Sequence, residues 1–174
     1  MNVNIAPLLV AVAVGLSLAS GSTQAFARAS ANTCAASAAY HALDFSIGAW
    51  SISVLGESTK GSSEIRRDIR GCAIVEEWKG QNDIGINVDA YNTEDKHWHR
   101  FFVDSYGKFH VFEGVAANGA IVYTGTSREA DGRVFMHRLT LRSHGSNEMT
   151  QLWQKSADGK TWTTAFEGTY TRVR

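Results

Sequence analysis

The 174-residue sequence predicts an all-β chain that closes into a single antiparallel up-and-down barrel of about ten strands. Three observations carry this. From Asp44 onward, apolar and polar residues alternate in short runs, the period-two signature of strands. Asn118-Gly119 and Asp131-Gly132 stand between such runs, and these dipeptides are the strongest short-range signal for two-residue hairpins. No helix-length periodic segment follows Asp44, and the chain's one proline, Pro7, lies far upstream of it.

The expected strands are Phe45–Leu55, Ser63–Ile69, Cys72–Lys79, Gly85–Tyr91, Trp98–Ser105, Phe109–Gly114, Ala120–Thr126, Arg133–Arg142, Glu148–Lys155 and Thr161–Arg172. Turn signals separate them: Gly71, residues 80–83, residues 92–95, Tyr106-Gly107, Asn118-Gly119, Asp131-Gly132, residues 144–147 and Asp158-Gly159. A meander of this length leaves two unpaired edges unless it closes, so a barrel is expected, with an open β-sandwich as the alternative.

Residues 1–27 are read as a secretory signal peptide. The apolar run Leu8 to Leu18 is too short for a membrane span, and Ala25-Phe26-Ala27 supplies a small-residue cleavage pattern. No Lys or Arg precedes the run, which leaves the α-amino group as the only positive charge there; a buried N-terminal helix is the alternative. Export would place the protein in the periplasm or outside the cell. Residues 28–43 form a leader and residues 44–174 the barrel. Seventeen basic and seventeen acidic residues, scattered along the chain, argue against a nucleic-acid surface, which needs a basic patch.

Cys34 and Cys72 are an even pair in a chain read as exported, and so are expected to form a disulfide that ties the leader to the barrel. Closing that loop stabilises by about 4 kcal/mol in the chain-entropy model. Two free thiols and a lipid anchor on Cys34 are the alternatives, the anchor disfavoured because no L-x-x-C pattern precedes it.

Alternation also sorts side chains by face. Trp98, Arg100, Phe102 and Asp104 share one face of their strand, while His97, His99, Phe101 and Val103 share the other. Ile74, Glu76 and Trp78 share a face, as do Gln151 and Trp153. Faces that mix aromatic and polar residues suit a barrel enclosing a ligand cavity. The candidate cavity set is therefore Glu76, Trp78, Trp98, Arg100, Phe102, Gln151 and Trp153. Glu76 and Arg100 could pair inside the barrel with Gln151 beside them, since an enclosed Arg needs a carboxylate, its own or the ligand's. The alternatives to a ligand-binding role are a self-satisfied buried network, or surface charges if the faces are shifted by one residue. Trp50, Trp162, Phe166 and Tyr170 are read as core along the seam between first and last strands.

The first strand opens with Gly48-Ala49-Trp50, a G-x-W that resembles the opening motif of lipocalins and fatty-acid-binding proteins. The resemblance implies that Trp50 plugs one barrel end and that Arg172, from the last strand, packs over it in a cation–π contact of order 1 kcal/mol. More closely, the stretches Gly71 to Trp78, Trp98 to Asp104, Gln151 to Trp162 and Phe166 to Arg172 resemble a family of uncharacterised exported bacterial proteins with a lipocalin-like barrel. That resemblance spans residues 44–174 and implies no established activity. Arg100 stands where that pattern usually has Gln, Phe102 where it has Trp, and Leu141 where Trp is common.

No catalytic motif is present: no G-x-S-x-G, H-E-x-x-H, C-x-x-C, Walker loop or dinucleotide fingerprint. His97 and His99 have the spacing of a two-imidazole metal pair, but a third ligand would have to come from His110, His137 or His144. No metal, haem or other cofactor is expected. The leading functional expectation is a binding or carrier barrel for a small, largely apolar ligand bearing a polar or anionic group. The alternatives are a small-barrel isomerase or hydrolase using Glu76 with Arg100 and Asp104, and a solid barrel with a structural role whose outer wall forms a homodimer.

Overall fold

The computed structural model describes residues 33–174. The expected signal peptide, residues 1–27, and the start of the leader lie outside the described residues. A short helix, α1 (Thr33–Ala36), is followed by two 3-10 turns, Ala38–His41 and Asp44–Ser46. Ten strands then run in antiparallel succession: β1 (Gly48–Val54), β2 (Gly61–Asp68), β3 (Ala73–Lys79), β4 (Ile84–Asn92), β5 (His97–Asp104), β6 (Phe109–Ala117), β7 (Ala120–Arg128), β8 (Val134–Ser143), β9 (Glu148–Ser156) and β10 (Thr163–Arg172). Each pairs with the next, and β1 pairs with β10, so the sheet closes and no strand is left with a free edge. Among the described residues, no helix is long and apolar enough to cross a membrane.

Closure depends on local chemistry at both kinds of turn. Asn118 and Gly119 both take positive φ between β6 and β7, the two-residue geometry that matches the twist of the flanking strands. At the start of β1, the expected strand residues Phe45 and Ser46 instead belong to the 3-10 turn. Strand geometry begins at Gly48, whose φ is +139°. A Cβ there would lie 2.1 Å from an Arg172 guanidinium nitrogen, so only glycine leaves room for that side chain to reach the Ile47 carbonyl.

The two barrel ends differ. At one end, Arg172 lies 4.2 Å above the Trp50 ring and donates to the carbonyls of Ile47, Phe45 and Ser146. The Trp50 indole N–H donates to Ser46, and Leu43 is buried in the same apolar cluster with Ile52, Ile74, Trp98 and Ile121. The leader is fixed there by the Cys34–Cys72 disulfide and by Arg67, which pairs with Asp44 and donates to the Tyr40 carbonyl. This end is solid. Of the four residues expected as seam core, Trp50 and Tyr170 are buried. Trp162 is on the outer wall, stacked on Arg138, because it lies in the β9–β10 connection before the inward alternation of β10 begins. Phe166 belongs to the other end, where a bulge between Thr164 and Phe166 resets the register of β10 against β9.

Candidate functional site

The interior has three levels. Above the solid end lies a buried polar layer, and above that an aromatic cavity opens at the end of the barrel formed by the β3–β4, β5–β6 and β7–β8 turns.

The polar layer follows from strand register. Asp89 and Arg100 are direct cross-strand partners on β4 and β5. Arg100 donates to both Asp89 oxygens, at 2.8 and 2.9 Å, and both side chains are buried. Tyr123 donates to Asp89 at 2.5 Å and carries the guanidinium over its ring at 5.2 Å. Burial works against the Arg100 charge, but Asp89 outweighs it and holds the guanidinium protonated far above any physiological pH. Arg100 is therefore paired with Asp89 and not with Glu76, the partner that the shared inward faces had suggested. Its carboxylate comes from the neighbouring strand.

Glu76 sits in the same layer with separate partners. Ser63 donates to one of its oxygens at 2.7 Å and Asn87 to the other at 2.9 Å. Burial raises its pKa, opposed by the Arg100 charge and by these two donors. Burial likewise pushes the neighbouring Tyr170 phenol well up, with the Glu76 charge adding to the effect. The layer is thus self-satisfied: each carboxylate has its own donors, as a buried polar network must.

The cavity above it has a volume of about 860 Å³, within the range of small-molecule sites. Of the seven residues expected to line it, Trp78, Phe102, Gln151 and Trp153 do so. Glu76 and Arg100 do not. They lie beneath the floor, behind Asn87, Gln151 and Tyr170. Trp98 is buried at the closed end against Tyr91. The acid–base set of Glu76, Arg100 and Asp104 is not assembled either, because Asp104 is at the rim accepting from the Tyr106 and Lys108 amides.

His110, Phe112 and His137, which are not among the seven, complete the walls. Phe102, His110 and Phe112 form a row of roughly parallel rings, and Trp153 stands nearly perpendicular to all three, with centroids 4.7 to 5.9 Å away. His137 packs into the same group, 5.0 Å from His110. The Trp153 indole N–H can only donate and lies 3.0 Å from His137 Nδ1, so the proton is on Nε2, facing Ser127 Oγ at 2.7 Å. Trp78 Nε1 and His110 Nδ1 are buried in these walls without a hydrogen-bond partner. A shallow depression of about 660 Å³ on the outer wall, beside Met136 and Trp162, is more open and has no comparable convergence of rings.

Desolvation depresses the pKa of both histidines, with His137 brought down to about 4 as His110 and Lys155 add their repulsion. Folding therefore favours neutral His137. In the unfolded chain this histidine takes its proton near its ordinary value of about 6.5. Stability is full above that value, is lost as the pH falls toward 4, and then levels off. From this group, which borders the open cavity and is partly screened by solvent, the loss between pH 7 and 4.5 is expected to be about 1–2 kcal/mol. Urea midpoints at the two pH values test this: His137→Gln, which can keep both hydrogen bonds, is expected to remove that part of the acid loss. An unchanged pH dependence would contradict it.

His97 and His99 are on the outer wall, the opposite face from His110 and His137. They pair with acidic neighbours, His99 with Asp95 at 2.8 Å and His97 with Glu113 at 3.4 Å. Among the described residues, no three His, Cys, Asp or Glu side chains gather in a metal-binding arrangement. No family model matches the chain, and no curated protein matches it.

Proposed function

We propose that the protein is a small-molecule binding or carrier barrel of lipocalin-like kind, acting after export in the periplasm or outside the cell. The observation that carries this reading is the 860 Å³ cavity with aromatic walls at one end of a barrel whose other end is solid. The disulfide and the sequence of residues 1–27 support export. The ligand is largely apolar and flat enough to lie against the Phe102, His110 and Phe112 rings. An anionic head group for Arg100 is no longer needed, because Asp89 neutralises that charge.

The test is titration with N-phenyl-1-naphthylamine, a neutral apolar fluorophore. Saturable one-to-one binding with energy transfer from tryptophan is expected. Phe102→Glu, which puts a charge in the wall, is expected to weaken it at least tenfold. Absent or non-saturating binding, or indifference to Phe102→Glu, would remove the proposal. A second reading, self-association through the outer wall, is favoured by the exposed Phe101, Phe109 and Val111. A monomer at every concentration in light scattering would exclude it.

A further inference from the structure

The polar layer beneath the cavity does more than fill the barrel, because it fixes which way two amide side chains face. Arg100 can only donate, so the Gln151 oxygen must turn toward it, and Gln151 Oε1 lies 3.5 Å from the guanidinium. The Gln151 NH2 group is left without a protein partner among the described residues. Asn87 is fixed in the opposite sense. Its NH2 group donates to the Glu76 carboxylate, so its carbonyl oxygen is the atom left over. Both residues line the cavity. A flip of either amide would set Gln151 NH2 against a cation or the Asn87 oxygen against a carboxylate. The third floor residue, Tyr170, has its phenol engaged with Glu76, so the two amides offer the cavity one donor and one acceptor, with no net charge available to a ligand.

From this geometry we infer that the binding site proposed above is selective for planar ligands whose polar edge carries an N–H beside a C=O, as in a lactam. The ligand carbonyl takes the Gln151 donor, and the ligand N–H takes the Asn87 oxygen. Arg100, held in place by Asp89, and Glu76 act as positioning groups: they touch the two amides and not the ligand. The rings above suit a flat body, with Trp153 nearly perpendicular to the row on the facing wall. A site built to hydrogen-bond both groups rejects an analogue that lacks either, because a buried amide is then left unpaired.

The test rests on the binding reading and uses three probes of one size: 2-quinolone (N–H beside C=O), coumarin (C=O with ring oxygen in place of N–H) and naphthalene (neither). Binding to the full chain is followed by tryptophan fluorescence. The expected result is 2-quinolone at least tenfold tighter than coumarin or naphthalene, with Gln151→Leu bringing all three within threefold. If Gln151→Leu does not fold, Gln151→Glu keeps the size and the acceptor toward Arg100 while removing the donor, and the same loss of discrimination is expected. Equal affinities in the unsubstituted protein, or an order unchanged by either variant, would overturn the inference. If N-phenyl-1-naphthylamine saturates while the three probes bind alike, the inference fails and the binding reading stands. If none of the four binds, both fail.

Discussion

Replacing Arg100 with Met is expected to lower stability by about 3–5 kcal/mol, enough to unfold a typical small domain in part. The loss comes from Asp89 and not from the missing cation as such. Asp89 is 1% exposed, and its two oxygens receive two guanidinium bonds and one from Tyr123. Without Arg100, a buried carboxylate keeps only the phenol. Removing both charges relieves this, so Asp89→Leu with Arg100→Met is expected to cost at least 2 kcal/mol less than the sum of the two single changes. Guanidinium unfolding of the four proteins measures the coupling. Strict additivity would mean that the two side chains do not act as a pair.

The second large effect is at the closed end. Cys34 and Cys72 are joined 38 residues apart. In the chain-entropy model, cutting a loop of that length removes about 4 kcal/mol, and less where the unfolded chain is already compact. The double change Cys34→Ser/Cys72→Ser is expected to lower the unfolding midpoint while keeping the far-ultraviolet signature of the barrel, because all ten strands pair without the bridge. Without the bridge, the part of the leader that precedes Tyr40 loses its tie to the barrel, whereas residues 40–46 keep the Tyr40–Tyr91 ring contact, the burial of Leu43 and the bonds from Arg67, Trp50 and Arg172. Limited proteolysis is therefore expected to cut ahead of Tyr40 first. First cleavage in the β7–β8 turn instead would contradict this account of the leader.

Strand number, direction and facing were legible because period-two alternation fixes faces and glycine-bearing turns fix hairpins. Trp98, Arg100 and Phe102 do share the inward face. Depth along the barrel axis was not legible, because alternation does not encode it. Trp98, Arg100 and Phe102 occupy the closed end, the polar layer and the cavity wall in turn. The Asp89 partner was within reach of the sequence: closing the β4–β5 hairpin at residues 92–97 sets residue 89 directly opposite residue 100. His110 and His137 also carried a signal. Each stands two residues from an apolar inward neighbour, Phe112 and Leu139, and that spacing puts the rings inside. Trp162 gave no such signal. Its wall is set by the β9–β10 connection and the stack on Arg138, which only the folded chain brings together.

One end of this barrel is hollow and the other is solid, and the five tryptophans are placed to report on both. Trp78 and Trp153 line the cavity, Trp50 and Trp98 are buried at the closed end, and Trp162 is on the outer wall. In a proton–nitrogen correlation spectrum, each indole N–H gives its own signal. On titration with N-phenyl-1-naphthylamine, the Trp78 and Trp153 signals are expected to shift together and saturate at one equivalent, while those of Trp50, Trp98 and Trp162 stay in place. A shift confined to Trp162, or no shift at Trp78 and Trp153, would contradict the account.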